Sequence, residues 1–238
     1  MTGVLVKICG LNDPAAVRAA AEAGADMVGF MFYPRSPRAV TPARVAELAR
    51  GLPAGIVRVA VLVDPDDALV DAVTATGVID LLQLHGRETP ERILALKART
   101  GLPVMKVLPV ADRADVEAAA AYDGVVDRIM FDARPPKDMA GALPGGNALS
   151  FDWRLLVGLR LATPWTLAGG LTVENVAEAV RLTGAGSVDT SSGVEDRPGV
   201  KSPDKIRAFV AAAKAAGPEA AQGDVGGRAT LAPSAARP

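Results

Sequence analysis

Eight short apolar runs recur along the chain: VLVKIC, MVGFMF, VRVAVLV, LLQLH, VMKVLPV, RIMFD, WTLAGG and SVDTSS. They are hydrophobic at nearly every position, as parallel strands are when both faces are buried. Between them, segments with helical spacing start and stop on clear signals. In DPAAVRAAAEAG, Asp13 is placed to cap a helix, Pro14 suits its first position and Gly24 closes it. TPARVAELARG repeats the arrangement from Thr41 to Gly51, and DPDDALVDAVTATG, ETPERILALKARTG, TVENVAEAVRLTG and SPDKIRAFVAAAKAAG follow it, each ending near a glycine. Strand alternating with helix along the whole length predicts parallel βαβ units. Eight units favour closure into a single (β/α)8 TIM barrel. An open doubly wound sheet is the alternative, but no G-x-G-x-x-G follows an early strand. In the sixth unit DARPPKDMAGALPGGNALS is too rich in Pro and Gly for a long helix, so a long loop is expected there, before a short helix near FDWRLLVG. The barrel should occupy residues 1–216. Residues 217–238 are Ala, Gly, Pro and small polar residues without apolar periodicity, which predicts a disordered tail.

Composition narrows the partners. Half the residues are hydrophobic but only 4% are aromatic, so Val, Leu, Ile and Ala must fill the core. With 26 Lys and Arg against 27 Asp and Glu, no overall field draws the chain to nucleic acid or to an acidic membrane, and a small ligand is the expected partner. No apolar run approaches the roughly 20 residues that cross a bilayer. A single cysteine forms no internal disulfide, and no secretory signal opens the chain; both point to the cytoplasm.

In a barrel of this kind, side chains at the C-terminal ends of the strands surround one pocket. Cys9 ends the first run, Arg35 and Arg38 follow the second, Asp64 the third, His85 ends the fourth, Asp132 the sixth, and Asp189 lies in the eighth. Cys9 is either a small buried hydrophobe or, at a strand edge before Gly10, a partly exposed thiol tuned as base or nucleophile. A carboxylate closing the apolar run RIMF must be hydrogen-bonded, paired or poised as an acid, which singles out Asp132. One histidine is too few for the commonest zinc sites, so no metal is expected. Gly169 and Gly170 after the seventh run, and Ser191, Ser192 and Gly193 after the eighth, fall where barrels often hold a phosphate, with backbone N–H groups free to approach an anion. Together they point to a phosphorylated substrate.

VKICGLND, GADMVGFMFYPRSPR, LLQLHG, IMFDARPP, FDW, LAGGLTVENV and VDTSSGVED, in this order and spacing over roughly residues 4–214, resemble the phosphoribosylanthranilate isomerase family of tryptophan biosynthesis. The resemblance implies a cofactor-free Amadori rearrangement of a small phosphoribosyl substrate. The family's general base falls on Cys9 and its general acid on Asp132. Arg38 matches the arginine that contacts the anthranilate carboxylate, Asp189 the aspartate near the sugar, and Gln83 and His85 the Q-L-H-G segment beside the site. One departure stands out: GGNALSFDW has Ala148 and Leu149 where the family usually has a second glycine and a basic residue. Loop closure is therefore open to change. Three other readings remain: the related histidine-pathway isomerase, which resembles the chain less because it has an aspartate in place of Cys9; a non-catalytic phospholigand-binding barrel; and a cysteine hydrolase using Cys9 and His85. The sequence leaves monomer and homodimer equally open.

Overall fold

The computed structural model describes residues 3–136 and 145–217. Eight parallel strands close into a barrel in chain order: β1 (Leu5–Cys9), β2 (Met27–Met31), β3 (Val57–Leu62), β4 (Leu81–Leu84), β5 (Val104–Val110), β6 (Arg128–Ala133), β7 (Trp165–Leu167) and β8 (Ser187–Thr190). β1 lies between β2 and β8, with Lys7 opposite Met27 on one side and Asp189 on the other. The runs read as apolar throughout because each strand serves two cores. Val6 and Ile8 of β1 face the layer between strands and helices. Cys9 points the other way, into a barrel interior shared with Met27, Val59, Val61, Met105 and Met130.

The helices form where their caps place them. Asp13 accepts the backbone N–H groups of Ala15 and Ala16 at 2.8 and 3.2 Å and opens α1 (Pro14–Glu22). Thr41, Asp66, Thr89 and Ser202 do the same for α2 (Pro42–Ala49), α3 (Asp67–Thr74), α4 (Pro90–Thr100) and, last in the chain, α7 (Pro203–Ala215). A cap of this type contributes about 1 kcal/mol. After β5 the chain forms α5 (Arg113–Glu117) on an Asp112–Asp115 capping box, a helix that the Ala-rich sequence there does not announce by apolar periodicity. In the sixth unit no α-helix appears among the described residues, only a 3-10 turn at Trp153–Leu156. This agrees with the Pro and Gly content.

The seventh unit differs from expectation. Its helix, α6, begins at Val176 and not near Thr172, because the Asn175 side chain accepts from the Thr172 N–H and donates to the Gly170 carbonyl, tying residues 170–175 into a turn. A small hairpin, β9 (Glu195–Arg197) and β10 (Val200–Lys201), follows β8. Apart from Gly217, the expected tail at 217–238 lies outside the described residues, as does 137–144 of the loop after β6. No helix among the described residues is long and apolar enough to cross a membrane.

Candidate active site

Asp132, on the inward side of β6, fixes one carboxylate oxygen locally: Oδ1 accepts the Ala133 N–H at 2.8 Å. The other, Oδ2, lies 3.4 Å from His85 Nε2, without the alignment of a hydrogen bond. His85 is held from behind by its own N–H donating to the Leu62 carbonyl at 2.8 Å. Gly145 packs on both: a Cβ there would stand 2.5 Å from His85 Cε1 and 2.7 Å from Asp132 Oδ2. Only a glycine lets the backbone come so near.

Asp132 and Asp189 line a cavity at the C-terminal mouth of the barrel. Its rim includes Gly169, Gly170, Ser191 and Ser192, and Gly146 to Leu149 of the loop after β6 complete it. Gly169 and Gly170 have φ of 85° and 68°, left-handed values that suit glycine. The Ser191 hydroxyl donates to the Cys9 carbonyl at 3.2 Å, joining the β8 loop to the end of β1. Gly193 is also constrained by packing. A Cβ there would meet the Leu171 carbonyl oxygen at 1.9 Å, so it is small in order to pack the turn after β8 against the β7 loop.

Five expectations need correction in detail. Of the two readings of Cys9, partial exposure is not met: it is only 6% exposed and does not line the cavity directly. It belongs to the barrel-interior cluster, one member of which, Ala168, lines the cavity. Burial pushes this thiol above its ordinary value, with the cations of Lys7 and Lys201 working against that rise. Arg38 was expected to grip a substrate carboxylate with its guanidinium fork. That fork is engaged by Glu195, with Nε to Oε1 at 2.7 Å and Nη2 to Oε2 at 2.8 Å, and Nη2 also donates to the Gly146 carbonyl at 3.2 Å. Nη1 is the edge left facing Gly146, whose Cβ position lies 2.7 Å away. Gln83 is almost fully buried inside the barrel, its amide nitrogen 3.8 Å from Met130 Sδ. Arg35 is exposed, and Asp64 accepts the Arg87 N–H at 2.6 Å away from the cavity.

Three charged residues without a signal of their own in the motifs also gather here. Lys7 is fully buried, with Nζ 2.8 Å from Asp189 Oδ1. Lys201 Nζ reaches the Ser191 carbonyl and Glu195 Oε1, both at 2.8 Å. Glu195 thus joins Arg38 and Lys201, and these two cations, outweighing the burial that opposes them, hold its carboxyl below the usual range. A lone lysine at an inward position of an apolar strand was the available signal for Lys7.

The family profile described as N-(5'phosphoribosyl)anthranilate (PRA) isomerase matches residues 6–212. The chain belongs to this family. A PRA isomerase from Paracoccus denitrificans is 58% identical over 212 residues, covering 89% of this chain and 98% of the relative. One from Paramagnetospirillum magneticum is 57% identical, covering 90% and 99%. Among solved structures, the PRA isomerase of Thermotoga maritima superposes with a TM-score of 0.78 at 33% identity, covering 89% of this chain and 99% of that one. A PRA isomerase structure solved with reduced 1-(o-carboxyphenylamino)-1-deoxyribulose 5-phosphate gives 0.76 at 32% identity over the same shares. In the loop after β6, Ala148 holds φ at 56°, a left-handed backbone that suits glycine.

Proposed function

We propose that Cys9 is the general base and Asp132 the general acid of the Amadori rearrangement that the family performs in tryptophan biosynthesis, converting N-(5-phosphoribosyl)anthranilate to 1-(2-carboxyphenylamino)-1-deoxyribulose 5-phosphate. The observation that carries the assignment is the cavity itself: Asp132 and Asp189 on its wall, Gly169, Gly170, Ser191 and Ser192 at the rim, and Cys9 in the interior cluster that reaches the cavity through Ala168. Asp132, protonated, gives its proton to the furanose oxygen as the ring opens to an iminium. The Cys9 thiolate takes the proton from C2′, leaving an enolamine that tautomerises to the aminoketone. Atoms and charge balance within the substrate and these two groups. The glycine and serine turns are suited to the phosphate, and Arg38 Nη1 to the anthranilate carboxylate. Residues 1–216 form the catalytic domain of this reading. A free thiol used as a base is kept in a reducing compartment, which favours the cytoplasm. The Thermotoga maritima relative is described as dimeric with monomers generated from it, and this chain works as a monomer or homodimer.

The test is turnover of phosphoribosylanthranilate, followed by its fluorescence. Cys9→Ser keeps size but offers a hydroxyl scarcely ionised near neutral pH, and Asp132→Asn cannot donate the proton. Each should lower kcat about 10²- to 10⁴-fold with little change in melting temperature. Activity within about threefold of the parent would remove that residue from its role.

A further inference from the structure

We infer that Lys7 is a positioning residue for this site: its ammonium, anchored by Asp189, is the counter-ion of the Cys9 thiolate, so that the base operates as a Lys7–Asp189–Cys9 unit. The inference rests on the reading of Cys9 as base. Lys7 and Cys9 are two residues apart on β1 and therefore point to the same, inward face. Lys7 is wholly buried, and Asp189 Oδ1 at 2.8 Å is its ion-pair partner. An ammonium has three donors, so this ion pair does not exhaust them.

What it faces next is read from Gly29, opposite Cys9 on β2. A Cβ at Gly29 would lie 3.0 Å from Cys9 Sγ and 3.1 Å from Lys7 Nζ. Sulfur and ammonium therefore turn into the same space, which exists because residue 29 has no side chain. A buried cation next to a thiol favours the ionised sulfur, and the interaction is strong because little water screens it. The other charges around the thiol are less free to do this. Lys201 and Arg38 are both tied to Glu195. Asp189 disfavours the thiolate, and Asp132 and His85 act on Asp189. Burial works against the Lys7 charge, but Asp189 and then Cys9 outweigh it and hold its pKa above the ordinary lysine value. Asp189 thus helps to keep the lysine charged beside the thiol.

The experiment follows thiolate formation by ultraviolet absorbance against pH in the free enzyme, with the Cys9→Ser protein as blank. Cys9 is the only cysteine, so the signal has one source. Lys7→Met should move the midpoint up by about one pH unit or more, and Lys7→Arg should leave it within about half a unit. Asp189→Asn should move it down, since it removes the anion and keeps the cation. Turnover of Lys7→Met should fall mainly in kcat and recover partly as pH is raised, which a merely structural role would not produce. Should Lys7→Met fail to fold with Asp189 left unpaired, Lys7→Met/Asp189→Asn removes both charges. Its midpoint should still rise, because Lys7 acts on the thiol more strongly than Asp189 does. A midpoint unmoved in either folded variant, or moved down, overturns the inference while leaving Cys9 as base intact. An active Cys9→Ser enzyme overturns both.

Discussion

Ala148 holds a backbone angle that suits glycine. Its φ of 56° places Cβ near a backbone oxygen, at about 1–2 kcal/mol for an L-residue. Gly146, two residues earlier, has φ of 75° and pays no such penalty. Ala148→Gly removes the strain but widens the unfolded ensemble by about 0.4–1 kcal/mol. The expected outcome in urea denaturation is a change between zero and a gain of about 1.6 kcal/mol. A loss of about 0.4–1 kcal/mol would mean that the left-handed backbone costs this alanine nothing. Residue-level causes of this kind also explain why Gly145 and Gly193 are glycines: their Cβ positions are already occupied by His85 and by the Leu171 carbonyl.

At the scale of elements, Glu195 is the joint between pieces far apart in the chain. It opens β9, binds Arg38 of the loop after β2 and meets Lys201 of β10, whose ammonium also holds the Ser191 carbonyl. Removing one partner of such a buried cluster leaves unpaired charge, so Glu195→Gln should lower stability by about 3 kcal/mol. It should also raise the Michaelis constant, because Arg38 loses the group that orients it. The pH dependence has a definite sign. The Glu195 carboxyl titrates lower in the folded protein than its ordinary 4.5. Its contribution is complete above pH 4.5 and is lost as pH falls through the lower folded value, where the unfolded chain binds the proton first. Thermal melts across acid pH should therefore show a shallower decline in Glu195→Gln than in the parent. Equal slopes would show that the Arg38 and Lys201 contacts do not bias this carboxyl.

At the scale of the whole molecule, the chain offers one histidine and one cysteine, and among the described residues no group of three or more His, Cys, Asp or Glu gathers to hold a metal. The acid and base assigned above need none. Turnover should survive exhaustive chelation, and a loss restored by adding metal would refute that mechanism. The barrel itself was legible because its causes are local. Apolar runs of strand length, Asp13, Thr41 and Thr89 before helical prolines, and glycines after the helices each carry their own meaning at short range. Family motifs then put Cys9, Asp132, His85 and Asp189 on strand ends, and the fold brings Asp132 to His85 and sets Asp189 in the same cavity wall. Sequence determined these things: which segments pair as parallel strands, and which residues stand at their C-terminal ends. Tertiary structure alone decided what each charge meets. Lys7 reaches Asp189 across 182 positions of sequence and Arg38 reaches Glu195 across 157, contacts that no local pattern encodes. It also decided that Cys9 is buried in the barrel interior, because burial depends on barrel closure, and that its sulfur has room there, because Gly29 on the neighbouring strand has no side chain; neither is visible from the strand that carries the thiol.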